Sequence, residues 1–172
     1  LKWHGKQHAD VLNVEGVYAL VSAILQCHDR GVHITMITMI GLNLDAKRLT
    51  ILSDLFIHPT LKIHHLNLYQ NNLGDKGADV FAARVLSNVN CRLVYLKLSE
   101  NDIGSKGVHC IANALRKTAS SSSSIEFLKL GGNPFSDDGV ASIVHVLHET
   151  KIRILKLSRC GITDKGARLL VK

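Results

Sequence analysis

The sequence predicts an α/β solenoid built from repeating strand–helix units. One observation is an apolar pattern with period-two spacing and then an Asn before the next apolar residue, whose clearest copy runs from Leu93 to Ile103. Another is the interval between copies, which start at residues 34, 63, 93, 125 and 152 and so lie 29, 30, 32 and 27 residues apart. The third is an apolar stripe of helical period after each copy. Period two followed by period 3.6 gives one strand and one helix per repeat.

Residues 1 to 15 fit the repeat least well. Projecting the pattern backwards places Leu12 in the last apolar slot and puts Gly5 and Gln7 in the strand slots. We therefore expect a degenerate or cut first repeat, with Trp3 covering an open edge. The first helix is predicted by apolar residues at i, i+3, i+4, i+7 and i+8, which are Val17, Leu20, Val21, Ile24 and Leu25.

The strand pattern recurs in four further copies, each followed by an apolar stripe of helical period. The strand copies are Ile34, Ile37, Met39, Leu42 and Leu44; Ile63, Leu66, Leu68, Asn71 and Leu73; Ile125, Leu128, Leu130, Asn133 and Phe135; and Ile152, Leu155, Leu157, Cys160 and Ile162. Short polar side chains stand two residues before a Gly at four helix starts, where they can accept hydrogen bonds from free backbone N–H groups of a first turn. They are Asp75, Ser105, Asp137 and Asp164.

The pattern LxxLxLxxNxL, followed by a Gly-containing turn and a helix, resembles leucine-rich repeats of the ribonuclease-inhibitor type. The resemblance runs from about residue 12 to residue 172, and the repeats look like the sensing arrays of nucleotide-binding immune receptors. It implies a horseshoe with a parallel β-sheet on the concave face and helices on the convex face. Strands about 4.8 Å apart beside helices about 10 Å wide also require such curvature. We expect one domain over residues 1–172, with about five to six repeats, as a piece of a longer array because neither end has a polar cap.

Composition limits the partners and the compartment. The net charge is +7 with a pI near 9.4, which favours acidic partners or nucleic acid, although 21 basic and 14 acidic residues are interleaved. The cysteines have no framework spacing, and Cys110 and Cys160 fall on buried repeat positions, which predicts reduced thiols in an intracellular, cytoplasmic protein. No apolar run is long enough to predict a membrane span. We expect the isolated chain to be a monomer.

The outward strand slots are the predicted binding surface, since alternate strand residues face opposite sides of the sheet. One row across the repeats is apolar to aromatic, and the next becomes lysine in the last three repeats. Aromatic anchors beside basic groups predict an interface for another protein, with an acidic one favoured. The alternative is that the lysines only solvate the sheet while the rings pack on their neighbours. The candidate residues are Met36, Thr38, His65, Asn67, Tyr69, Tyr95, Lys97, Phe127, Lys129, Ile154, Lys156 and Arg159.

Adjacent lysines on neighbouring strands repel one another, so a nearby negative charge is expected to reduce that repulsion. At about 5 Å in a half-wet groove each pair repels by about 1–3 kcal/mol. Glu100, Asp102 and Glu126 are close in sequence and are candidates to supply that relief, as is an acidic partner. The Ser120–Ser124 tract accounts for the 32-residue interval and is predicted to be a flexible loop.

Catalytic and cofactor motifs are missing from the sequence. It has no dinucleotide fingerprint, phosphate loop, zinc pair of the HExxH kind, nucleophile elbow or CxxC, so we expect no cofactor, no metal and no catalysis. His145 and His148 lie three apart on a helix, but two ligands make a weak metal signal. Two alternatives to protein recognition remain. One is activation of Ran-like GTPases, which some proteins with this repeat perform with residues on an enlarged strand-to-helix loop. Here each such loop is short, and the only arginine near one is Arg159. The other is nucleic-acid binding by a basic scaffold.

Overall fold

The chain alternates strands and helices throughout the described residues. The computed structural model describes residues 1–4, 12–118 and 125–171, and residues 3 and 4 by their backbone alone. The strands are β1 (Lys2–His4), β2 (Met36–Ile40), β3 (His65–Asn67), β4 (Tyr95–Lys97), β5 (Phe127–Lys129) and β6 (Ile154–Lys156). The helices are α1 (Val14–Asp29), α2 (Ala46–Ile57), α3 (Gly74–Phe81, continued by a π-helical turn over Ala82–Leu86), α4 (Ser105–Lys117), α5 (Ser136–Leu147) and α6 (Asp164–Leu169).

All six strands form one parallel sheet in the order of the sequence, β1 to β6. From β2 to β6 the register follows the predicted slots, so one apolar column crosses the sheet through Ile37, Leu66, Leu96, Leu128 and Leu155. The first four of these side chains are buried, and Leu155 packs against the same core. The predicted α/β solenoid with strands on its concave side is confirmed.

The first strand differs from its prediction. Trp3 lies opposite Met39 in β2, whereas projection of the repeat had put Gln7 in that slot. The pairing rests on the backbone, since the Thr38 N–H donates to the Leu1 carbonyl and the terminal ammonium donates to the Met36 carbonyl. Such bonds do not require apolar alternation, which is why the pattern misplaced the strand. Gly5, Gln7 and the proposed role of the Trp3 side chain lie outside the described residues, as does the Ser120–Ser124 loop.

The core lies between the sheet and the helical layer. Most apolar residues of the helical stripes are buried there, such as Val17, Leu49, Phe81 and Ile111. The last repeat is the exception: Ala167 and Leu170 in and after α6 are exposed. The core is therefore continuous through the inner repeats, as expected when each repeat covers its neighbour.

Buried asparagines join neighbouring repeats through their amides. The Asn133 Oδ1 accepts from the N–H groups of Asn101 and Ile103 at 3.0 and 3.1 Å, and its Nδ2 donates to the Leu98 and Leu130 carbonyls. Cys160 stands in the same slot of the next repeat and donates from Sγ to the Leu130 carbonyl at 3.5 Å. These bonds satisfy loop backbone groups that neither strand nor helix pairs.

Two of the four predicted helix caps act on the next repeat. The Asp75 Oδ1 accepts from the N–H groups of Gly104 and Gly107 at the start of α4, at 2.7 and 2.9 Å. Asp137 similarly accepts from the N–H and the hydroxyl of Thr163, before α6. Each carboxylate therefore fastens two repeats together and also faces the positive end of a helix dipole.

Candidate functional site

A row of side chains crosses the sheet at the first residue of each strand from β2 to β6. Register places Met36, His65, Tyr95, Phe127 and Ile154 side by side, as predicted. The imidazole of His65 stacks on the ring of Tyr95 with centroids 3.8 Å apart and planes 7° apart, and Tyr95 lies 6.1 Å from Phe127. The rings stay only partly buried after packing on one another. The row therefore remains an apolar surface that a partner can contact.

Two lysines of the neighbouring row lie against aromatic rings of the previous repeat. The Lys97 Nζ is 3.9 Å from the centroid of the Tyr69 ring. The Lys129 Nζ is 4.7 Å from the Tyr95 centroid and donates to the Tyr95 hydroxyl at 2.7 Å. An ammonium over a ring face is attracted by the ring quadrupole, by about 0.5–1 kcal/mol at exposed sites. The tyrosines thus offset part of the repulsion between the lysines.

Two of the three acidic residues named as candidates for that role bind arginines instead. Arg159 Nη2 lies 2.6 Å from Glu100 Oε1, and Gln70 Nε2 donates to Glu100 Oε2 at 3.0 Å. Glu126 lies 3.8 Å from Arg153. Asp102 is exposed. The expectation of pairing with the lysines is therefore wrong for Glu100 and Glu126, whose ion-pair partners are arginines of later repeats.

Three titrating groups at this face have displaced pKa values. Burial, and then the nearby Lys129, lowers the pKa of His65. Burial and a hydrogen bond with Glu100 raise the pKa of Tyr69. Hydrogen bonding from Gln70 is the main cause that lowers the pKa of Glu100. The two downward shifts favour the neutral imidazole of His65 and the ionised carboxylate of Glu100.

A recess opens beside the lysines at the carboxyl ends of β3 to β6. Its volume is about 270 Å³. A Cβ on Gly131 would lie 2.8 Å from Ser158 Oγ, and one on Gly132 would lie 2.6 Å from Glu100 Cγ. The two glycines therefore leave room for the side chains of Ser158 and Glu100 in the neighbouring repeats. The lining residues are Tyr69, Lys97, Ser99, Glu100, Lys129, Gly131, Lys156, Ser158 and Arg159.

The structure thus assembles most of the predicted residues on one surface. Met36 and Ile154 are 38% and 42% exposed, and Lys156 and Arg159 are exposed as well. His65, Asn67, Tyr69, Tyr95, Lys97, Phe127 and Lys129 are partly buried. Thr38 differs: it lies in the expected register but is only 6% exposed, so it offers little surface to a partner.

Sequence reasoning missed the part played by Glu100 and the two glycines. The residue before each Asn slot has a positive φ, as in Gln70 (55°), Glu100 (54°), Gly132 (74°) and Arg159 (56°). This turn gives the long side chains a shared position at the rim of the recess. The recurrence of a polar residue or Gly before the Asn slot was the sequence signal that could have predicted this turn.

The described residues hold neither a cluster of metal ligands nor a helix that could span a membrane. Within residues 1–4, 12–118 and 125–171, no three metal-ligating side chains cluster in a way that could hold an ion. No helix in the same ranges has the length and apolar character needed to cross a bilayer.

Comparison with known proteins agrees with this architecture. A family model described as Leucine Rich repeat matches residues 61–82, 89–112, 121–144 and 148–171. The chain is 31% identical over 117 residues to mouse NACHT, LRR and PYD domains-containing protein 14, a match that covers 67% of this chain and 11% of that protein. It is 27% identical over 165 residues to the human protein of the same name, covering 80% of this chain and 15% of the relative. The chain therefore belongs to the leucine-rich repeat family, whose arrays serve as protein-interaction modules.

Proposed function

We propose that the chain is a non-enzymatic recognition module that binds a protein partner along its strand-lined face, and that the partner is acidic where it meets the lysines. The observation that carries the proposal is the aromatic row from His65 to Phe127 lying directly beside Lys97, Lys129 and Lys156. Partly exposed rings supply contact area at low cost in side-chain entropy, and adjacent cations supply charge selectivity.

The lysine row favours an acidic partner because it holds like charges on successive strands. Tyr69 and Tyr95 offset the charge of two ammonium groups, but their rings carry no negative charge. An approaching carboxylate removes the remaining repulsion at the same time as it gains attraction. Binding is therefore expected to weaken as ionic strength rises.

A protein partner fits this face better than the two alternatives. Nucleic acid requires a continuous cationic track, whereas β2 and β3 contribute Met36, Thr38, His65 and Asn67 to the two rows. For GTPase activation, the candidate arginine is Arg159 in the loop between β6 and α6, and it is already paired with Glu100. The reduced thiols of Cys110 and Cys160 support an intracellular, cytoplasmic setting for the module.

Selection from a random peptide display library on the purified chain tests the proposal. We expect enrichment of peptides that combine acidic and apolar residues, with retention that declines as salt is added. Replacing Lys97, Lys129 and Lys156 together by Glu should abolish that retention, and Tyr95→Ala with Phe127→Ala should weaken it. Circular dichroism of each variant establishes that it remains folded.

A matched control uses lysines on the helical side. Lys76 in α3, Lys106 in α4 and Lys165 in α6 are exposed, and replacing them by Glu makes the same change in net charge. If this variant loses the selected peptides as fully as the strand-face variant, binding follows total charge and the proposed face is wrong. Selection of neutral peptides insensitive to salt would reject the acidic partner.

A further inference from the structure

The recess beside the lysines has a more specific chemistry than the face as a whole. Four cationic side chains line it, Lys97, Lys129, Lys156 and Arg159, against the single carboxylate of Glu100. Taking each as fully charged leaves an excess of three positive charges. A space of about 270 Å³ with that excess favours a small, multiply charged anion.

The four cations differ in how much binding capacity remains to them. Arg159 is held by Glu100 at 2.6 Å. The ammonium groups of Lys97 and Lys129 contact Tyr69 and Tyr95, yet each ammonium has three hydrogen-bond donors. Lys156 makes no hydrogen bond or ion pair with the residues that the structure describes. Three lysines thus have donors to offer, while Arg159 serves to hold Glu100 at the rim.

Neutral donors and missing side chains complete the recess. Ser99 and Ser158, each with a hydroxyl group, line it from the turns after β4 and β6, on either side of the turn that holds Gly131. A Cβ on Gly131 would meet Ser158 Oγ at 2.8 Å and the Ser158 carbonyl at 3.0 Å, so any larger residue would fill the floor. Hydroxyl donors beside ammonium groups match an anion with several acceptor oxygens.

We propose that this recess binds the phosphoryl group of a phosphorylated residue on the protein partner. A phosphate monoester carries about −1.5 to −2 charges near pH 7 and three terminal oxygens, enough for one oxygen per lysine, whereas a carboxylate has one charge and two oxygens. The inference rests on the proposed function for its partner. The recess itself is a local site, and a small phosphate ester can occupy it without that partner.

Titration with phenyl phosphate tests the site directly, with benzoate as the carboxylate counterpart. Amide resonances of Gly131 and Gly132, assigned in the ¹⁵N-labelled chain, report occupancy because Gly131 lines the recess and Gly132 follows it in the chain. We expect phenyl phosphate to shift them at a concentration at least about tenfold lower than benzoate does, because the second charge and third oxygen add to the attraction. Lys156→Gln, which disturbs no described hydrogen bond, should weaken phenyl phosphate binding by about tenfold.

Lys165→Gln in α6 is the control, since it removes the same charge from the helical side. Equal binding of the two probes, or equal effects of the two substitutions, would show a diffuse cationic surface and overturn the phosphoryl site. If phenyl phosphate fails while acidic peptides still bind through the strand face, the proposed function stands and this inference alone is lost. If phenyl phosphate binds while no peptide engages the face, the recess stands without its protein partner.

Discussion

Arg159 reaches Glu100 across an intervening repeat, with Nη2 2.6 Å from Oε1 although 59 residues separate them in the chain. The repeat between them carries Gly132 at the equivalent turn position. A Cβ there would lie 2.6 Å from Glu100 Cγ. The ion pair of Arg159 and Glu100 therefore requires a residue without a side chain at position 132. The rim of the recess is therefore set by three turns together and by none of them alone.

Replacing Gly132 by Ala is expected to destabilise the protein by about 2–3 kcal/mol, since it combines a strained φ of +74° with the contact to Glu100. Gly31→Ala is the control: its φ is +83°, but nothing lies within 4 Å of the added Cβ. It should cost only about 1 kcal/mol, the backbone part alone. Urea unfolding of both variants measures the difference, and equal losses would show that the Glu100 contact relaxes freely.

Asp75→Ala is expected to destabilise the protein by about 1–2 kcal/mol, the range for loss of a helix cap. The substitution removes the acceptor for the N–H groups of Gly104 and Gly107 in the next repeat. Asp138, an exposed acidic residue in the first turn of α5, is the control because Asp138→Ala removes a similar charge and no described side-chain hydrogen bond. Thermal unfolding compares them; a cost no larger for Asp75 than for Asp138 would mean that the bonds between repeats add nothing.

The sequence predicted the repeating parts of this fold because their signals are local and occur many times. The strand register and the column through Leu66, Leu96 and Leu128 follow from one spacing copied along the chain. Contacts between repeats were harder to predict. Capping rules concern residues near the helix they cap, whereas Asp75 caps a helix 29 residues further on.

The candidate face shows the same division. Its two rows follow from strand alternation, so the residues that share them could be named from the sequence. The contacts that each side chain makes within the rows could not be predicted from the sequence. Lys97 and Lys129 had several acidic neighbours in sequence, but their ammonium groups lie on the rings of Tyr69 and Tyr95. The first strand was misplaced for a different reason, since β1 joins the sheet through its backbone and its residues carry no repeat pattern.

The stability of the folded chain should fall as the pH drops below about 6.5, in part because of His65. Burial and Lys129 lower the folded-state pKa of this imidazole below its unfolded value. The unfolded chain therefore binds more protons, and the contribution is present above the unfolded pKa and is lost as the pH falls toward the folded one.

Urea unfolding between pH 5 and 8 measures that dependence. His65→Phe keeps a ring against Tyr95 but has no proton to bind, so its stability should vary less with pH than that of the parent chain. Lys129→Gln should reduce the dependence partly, because burial is the larger cause and remains. Parallel pH profiles for the parent and His65→Phe would mean that His65 does not couple folding to protonation.

Asn133→Ala is expected to be more damaging than Asn101→Ala, at about 3–5 kcal/mol, since it leaves two buried N–H groups without their acceptor and removes one of the donors to the Leu98 and Leu130 carbonyls. Asn101→Ala is a control of equal burial. Asn101 Nδ2 donates to the Leu68, Leu98 and Ser99 carbonyls, but its Oδ1 accepts no hydrogen bond, so its removal strands no N–H group and should cost about 1–2 kcal/mol less. Urea denaturation of the two variants decides the matter. An Asn101 variant as unstable as the Asn133 variant would mean that the two N–H bonds to Asn133 add no net stability, and that the amides act mainly by filling space between the repeats.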